Sequence, residues 1–398
     1  MGRKTNSLHP MSGCSLVRLS LLWLFAFFLA GACGCASTFR PEAEPPPVAR
    51  PLPSSVRSVR IVAVGDIMAH APVTNAARIA GDQYDFAPFF TYMFPLFAQA
   101  DMLVGNLETP LAGKAARYSG YPAFNAPDAL AIALKDAGFD LLHVANNHTL
   151  DRGWKGLERT LETLTSLNMD YVGAYQSPAD RSRRILRSVN GIRLAVLGYT
   201  YGLNGRKGPP RGEEWRLSLL DAERIKADMA EARNAGAELV VLSLHWGTEY
   251  QRMPSKKDRA FMQTLLQSGA DVIIGHHPHV VQPFEVFTSA AGDKGVAYSL
   301  GNFLSNQSYP HTDVGAVLDC EVRLEEGGRV RFNHFRMIPT LCHKRVVQGR
   351  KSYRVLPMHQ AVLEPESFGL TSGQARALKP KLSAMEKHIN ILAGTRKP

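Results

Sequence analysis

Short, continuous apolar runs recur along this chain, and each one ends on a residue that can bind a metal or move a proton. Arg60-Ile61-Val62-Ala63-Val64 leads into Gly65-Asp66, and Met102-Leu103-Val104 leads into Asn106-Leu107-Glu108. Leu141-Leu142-His143-Val144 is followed by Asn146-Asn147-His148, Glu238 to Leu244 by His245, and Val296 to Leu300 by Gly301-Asn302. The most telling run, Ala270-Asp271-Val272-Ile273-Ile274, delivers Gly275-His276-His277-Pro278-His279. Runs of this kind read as strands buried on both faces. Between them lie segments with helical spacing: Tyr92 to Ala100, Asp128 to Ala137, Trp154 to Leu167, Leu219 to Ala235 and Lys257 to Ser268. Alternating strands and helices constrain the chain to an α/β architecture, whose sites gather at the carboxyl ends of the strands.

Arg193 to Leu197 is a further strand, and the Gly-rich loop after it, Gly202 to Gly212, can act as a lid. Ala316 to Leu324 and Arg329 to Met337, joined across Gly327-Gly328, predict an antiparallel hairpin. One amphipathic segment, Gly373 to Leu392, follows near the end. With 45% hydrophobic residues the chain can bury a substantial core.

The first part is not fold. Arg3, Lys4 and Arg18 precede an apolar stretch, Leu19 to Ala32, in the layout of a secretory signal, and that stretch is short for a membrane span. Leu29-Ala30-Gly31-Ala32-Cys33 resembles a bacterial lipobox, which makes Cys33 the expected lipidation site, with Cys35 a weaker alternative. The expected organisation is a signal peptide and lipobox over 1–33, a Pro-rich tether over 34–58, the main domain over 59–345, and a partly helical C-terminal extension over 346–398. Such a chain is exported and held by lipid at the extracytoplasmic side of a membrane. The formal charge is +11, and without Arg3, Lys4 and Arg18 of the signal it is +8 from Cys33 onward; such a basic surface outside the cytoplasm suggests anionic partners: lipid headgroups, wall polymers or a polyanionic capsule. Nucleic acid is excluded as a partner, because the chain is read as exported and shows no Lys/Arg block with interleaved aromatics. Of the five cysteines, Cys320 and Cys342 lie in the domain, at a separation that permits a disulfide without requiring one.

A sheet would gather Asp66, Glu108, Asn147, His148, His245, His277 and His279 along one edge. Carboxylate, carboxamide and imidazole donors together suit divalent Mn, Fe or Zn better than Ca, and they outnumber what one tetrahedral zinc needs. Two metals sharing a carboxylate would use them, activating water for in-line attack at phosphorus.

The segments Val64-Gly65-Asp66-Ile67-Met68, Gly105-Asn106-Leu107-Glu108-Thr109, Ala145 to Asp151, Leu244-His245-Trp246-Gly247, Gly275 to His279 and Tyr298 to Phe303 resemble the CapA family, in order and with family-like spacing over roughly 59–340. That family is named for poly-γ-glutamate capsule synthesis. The resemblance implies a calcineurin-like metallophosphoesterase fold, an α/β sandwich of two mixed sheets flanked by helices. It implies two divalent metal ions, with Asp66 and His279 on the first, Asn147, His245 and His277 on the second, and Glu108 bridging. His148 would protonate the leaving group or stabilise charge on the phosphoryl oxygens. Two departures from the wider superfamily stand out: Met68 replaces the histidine of its opening Asp-x-His motif, and Glu108 replaces a bridging aspartate.

Asp151, three residues after His148, can orient its ring or cap the helix before Trp154. Glu249 and Asn302 are candidate substrate contacts, while His143, inside an apolar strand, is read as core and His70 as part of the loop or first helical turn. The resemblance points to metal-dependent hydrolysis in capsule, poly-γ-glutamate or envelope polymer biosynthesis, with an anionic polymer or phosphoester as substrate and capsule-synthesis proteins as partners. A γ-glutamyl amide hydrolase or transferase is one alternative, and a non-catalytic polyanion-binding scaffold for export is another.

Overall fold

The first strand, β1 (Arg57–Ile67), divides its side chains between two cores. Ile61 and Ala63 enter the core between the sheets, while Val62 and Val64 enter another on the outer face, as the two-residue period of a strand dictates. This computed structural model describes residues 57–347 and 349–393. The signal-like segment, the lipobox cysteine Cys33 and the tether as far as residue 56 lie outside the described residues.

The strands that follow are β2 (Met102–Leu107), β3 (Leu141–His143), β4 (Asp170–Val172), β5 (Leu186–Val189), β6 (Ile192–Thr200), β7 (Leu239–His245) and β8 (Val272–His276). After them come β9 (Val281–Ser289), β10 (Gly292–Leu300), β11 (Asn302–Leu304), β12 (Val314–Glu325), β13 (Arg329–Val347) and β14 (Arg350–Pro357). The helices are α1 (Ala71–Ala77), α2 (Phe94–Phe97), α3 (Ala129–Asp136), α4 (Gly153–Ser166), α5 (Pro178–Ile185), α6 (Ala222–Asn234), α7 (Lys256–Gln267), α8 (Met358–Leu363) and α9 (Ser372–Ile389).

Two mixed sheets result, in the order β14-β13-β12-β1-β2-β3-β4, with β11 beside β1, and β5-β6-β7-β8-β10-β9. β1 to β4 are parallel, as are β6, β7, β8 and β10. Leu130 and Leu134 of α3 and Leu157 and Leu161 of α4 cover the outer face of the first sheet. Ile225 and Met229 of α6 and Met262 and Leu265 of α7 cover the second. The interior holds Ile61, Val104, Val196, Val241, Ile274 and Leu318, each worth about 1.5–3 kcal/mol on burial. The architecture is the expected sandwich of two mixed sheets flanked by helices.

Three local expectations need revision. Tyr92 to Ala100 is not one helix: a 3-10 turn at Thr91–Met93 passes into the single turn of α2, with Pro95 at its start. A strand in a stretch given no element above, β9, pairs antiparallel with β10 at the edge of the second sheet. The boundary drawn at 345 cuts β13, which runs on to Val347 and pairs with β14 from Thr340↔Pro357 to Val347↔Arg350, so part of the presumed extension belongs to the first sheet. Cys320 and Cys342 are both buried free thiols; Cys342 Sγ lies 3.3 Å from the Ser305 carbonyl oxygen.

Candidate metal centre

Strand register assembles the site. β1 and β2 pair Asp66 with Asn106, β7 and β8 pair His245 with His276, and β1 and β11 pair Asp66 with Asn302. The backbones close tightly at these ends. A Cβ on Gly65 would stand 1.9 Å from the Gly301 carbonyl oxygen, and one on Gly275 would stand 1.9 Å from that of Tyr298, so both positions exclude a side chain.

Asp66 is fully buried. Its Oδ1 accepts from Asn106 Nδ2 at 2.8 Å, and its Oδ2 lies 3.0 Å from His279 Nδ1. Burial pushes its carboxyl up, but the His279 hydrogen bond and charge, helped by His276 and Asn106, leave it below the usual range. Glu108, one residue past β2, has Oε1 at 3.5 Å from His245 Nε2 and 3.8 Å from His279 Nε2, yet that oxygen accepts no hydrogen bond. Burial and then the Asp66 charge hold the Glu108 carboxyl well above the usual range.

The histidines sit in strained backbone. His277 and His279 have φ of 97° and 58°, a region that non-glycine residues enter where the surroundings enforce it. The neighbouring loop braces them: Trp246 N donates to the His276 carbonyl at 3.1 Å and Tyr250 N to that of Pro278 at 2.8 Å. Burial lowers His245 well below an ordinary histidine and takes His277 down to about 3, so both are neutral, the form a metal requires. His277 Nδ1 has no hydrogen-bond partner. Asn147 Oδ1 lies 2.9 Å from His245 Nε2, and Asn147 Nδ2 donates at 3.3 Å to Asn204 in the loop read as a lid.

Three groups among the described residues bring ligand atoms within 4.8 Å of one another: Glu108, His245 and His277; Asp66, Glu108 and His279; and Glu249, His277 and His279. Glu108 is common to the first two. The donor set fits divalent ions, because two buried carboxylates face imidazoles, of which burial keeps His245 and His277 neutral, and an unpartnered carboxylate oxygen and imidazole nitrogen are already in place.

His148 Nδ1 lies 2.8 Å from Asp151 Oδ2, and the same oxygen accepts from Phe124 N at 2.7 Å, which fixes the imidazole. The Phe124 ring packs edge-on to it, with centroids 4.7 Å apart. Glu249, expected as a substrate contact, is exposed and stands with His277 and His279. Asn302 is fully buried, and its amide donates to Gln307 Oε1 at 2.9 Å and the Thr312 carbonyl at 3.0 Å. It therefore braces the loop after β11 instead of facing solvent. Met68, where the superfamily carries a histidine, is buried, and His70 accepts from Asn306 N at 3.3 Å outside every ligand group. His143 is core, 2.6 Å from Ser243 Oγ and from the Ala145 carbonyl.

Sequence reasoning missed Asn106, whose amide bonds Asp66 and also lies 3.2 Å from His245 Nδ1. The signal was its place two residues before Glu108, hence on the same strand face. It also missed Tyr201, whose ring lies 4.5 Å from His277, and Tyr250, 6.1 Å from His279.

The molecule is thus an α/β sandwich of two mixed sheets with a metal-ligand cluster at its strand ends. It belongs to the bacterial capsule synthesis protein PGA_cap family, whose model matches residues 60–307. Over 268 residues it is 33% identical to the capsule biosynthesis protein CapA of Bacillus anthracis, covering 65% of this chain and 63% of that relative, just under two thirds of its length. Over 332 residues it is 32% identical to the PGA biosynthesis protein CapA of Bacillus subtilis strain 168, covering 82% of this chain and 80% of that one. Among solved structures it is similar to the calcineurin-like phosphoesterase YfkN from Bacillus subtilis, with a TM-score of 0.42 at 13% identity, over 85% of this chain and 99% of that one.

Proposed function

We propose that this chain is an extracytoplasmic, metal-dependent hydrolase that cleaves a phosphoester or related bond during synthesis of a capsule, poly-γ-glutamate or another envelope polymer. The observation carrying the reading is Glu108, a buried carboxylate common to two sets of ligand atoms. Divalent ions held there would supply positive charge to polarise a substrate oxygen and acidify water. Asp66 and His279 would hold one ion, and Asn147, His245 and His277 the other. Asp151 fixes His148 through Nδ1, which leaves Nε2 free to deliver a proton to a leaving group. Names of relatives support the polymer role, since two are called capsule or PGA biosynthesis proteins. Export, lipid attachment at Cys33 and capsule-synthesis partners belong to the same proposal and rest on the sequence.

Elemental analysis of the full chain should find close to two divalent ions, fewer in His277→Ala, with phosphodiester turnover falling on the order of 100-fold or more in His148→Ala. No metal after reloading with Mn or Zn would sink the reading and favour the polyanion scaffold.

Amide cleavage in a γ-glutamyl polymer is a second reading, favoured by Glu249. An exposed carboxylate beside His277 and His279 repels phosphoryl oxygens but suits a neutral amide that needs proton transfer. Glu249→Gln separates the two: amide turnover would fall, while phosphoester turnover would hold or rise.

A further inference from the structure

We infer that a basic groove beside the metal centre is a track for an extended polycarboxylate chain. Two cavities meet here, one of about 810 Å³ and one of about 370 Å³, and they share Asn75 and Arg78 in their lining. The larger is bounded by Arg350 and Lys351 of β14, the smaller by Asp82, Lys114 and Arg117. Five cations thus face one acid. Asp82 pairs with Arg78 at 3.4 Å and with Lys114 at 2.5 Å, which holds those two cations in place. Among the described residues, the exposed Arg117, Arg350 and Lys351 make no ion pair, so their charge is available to a ligand.

The track leads toward the chemistry. Ser119 lines the smaller cavity and is held by Arg152, the residue after Asp151. Arg152 also donates to the Phe124 carbonyl at 3.2 Å, and Phe124 packs against His148. One short segment, 119–124, therefore separates the end of the groove from the proton donor. Two joined hollows with cations at intervals fit a linear chain carrying a charge on each repeat, whereas a flat membrane would touch a convex face. The identity of the anion rests on the polymer reading above; the groove itself does not.

The test is binding of fluorescent poly-γ-glutamate to the full chain, followed by anisotropy at two salt concentrations. The double variant Arg117→Glu/Lys351→Glu should bind at least ten-fold more weakly. Arg350→Glu/Lys351→Glu, confined to one strand, should move in the same direction, and thermal melting shows that each is folded. The same charge change at Arg376 in α9 should leave affinity within about two-fold. A γ-glutamyl trimer should bind at least ten-fold more weakly than the long polymer, and salt should weaken the wild type. Binding is read by anisotropy without any turnover, so failure of the hydrolase reading leaves this result intact. Equal affinity in the groove variants overturns the inference. Binding to phosphatidylglycerol vesicles but not to the polymer would reassign the groove to a lipid surface.

Discussion

Two buried carboxylates, one inside the first sheet and one just past the end of its strand β2, have opposite surroundings. Asp319, in β12, receives Arg60 from β1 at 2.8 and 2.9 Å, Arg336 from β13 at 2.8 and 2.9 Å, and His334 at 3.0 Å. Burial would raise its carboxyl, yet hydrogen bonds from Arg60, His334 and Arg336 pull it down to about 2. Glu108 has no arginine or lysine beside it, only neutral imidazole, carboxamide and a second carboxylate, and it moves upward. A buried charge is tolerated when paired and costly when bare. The fold supplies Asp319 with its own counterions, whereas Glu108 is arranged to take a cation from solution.

Glu108→Gln should break that contrast most visibly. Removing the shared ligand should cut divalent metal affinity on the order of 100-fold or more, read by titration with Mn. In chelator-treated protein the same change should leave melting unaltered or raised, because an unpaired buried carboxyl has gone. A large drop in metal-free stability would mean that Glu108 is structural after all.

Asp319→Asn should behave in the reverse sense: metal affinity unchanged, and stability at neutral pH reduced by about 2–3 kcal/mol, measured by denaturant unfolding. The loss comes from stranding Arg60 and Arg336 as much as from the missing charge.

The strand ends were legible because a doubly buried strand is a continuous apolar run and its end is the next polar residue; Asp66, His245 and the His277 loop are read that way. Asn106 was harder: its place two residues before Glu108 puts it on the same strand face, but it acts only through the partners that the pairing of β1 with β2 brings to it. Edge strands were hidden for a related reason. β9 contains Pro283 and buries Gln282 and Glu285, so it breaks the apolar pattern while lying where a missing N–H is tolerated. β14 opens on Arg350 and Lys351 and becomes recognisable only once β13 is extended to meet it. Tyr201 and Tyr250 reach the histidines through loops, whose paths follow from tertiary packing and not from local sequence.

The smallest effect concerns pH, and it separates the two regions by window. Burial, with the neighbouring His276 charge, holds His143 at about 3, and burial holds His276 at about 4, against about 6.5 for a free histidine. The unfolded chain therefore takes up protons that the folded chain refuses, and stability falls as pH drops below about 6.5 until the folded values are reached. Asp319 also loses its contribution in acid, but only from about pH 4 down to about 2, because its folded value is depressed from the ordinary carboxylate range. Between pH 7.5 and 6.0, each histidine held neutral should cost the chelator-treated protein about 0.8 kcal/mol. Asp319→Asn should leave the His143 and His276 contributions over that interval untouched, while His143→Gln should flatten the slope by one histidine's share. A wild-type stability that is flat from pH 7.5 to 6.0 would mean that these imidazoles are not held neutral in the folded chain, and the case for His245 and His277 as ready metal ligands would weaken with it.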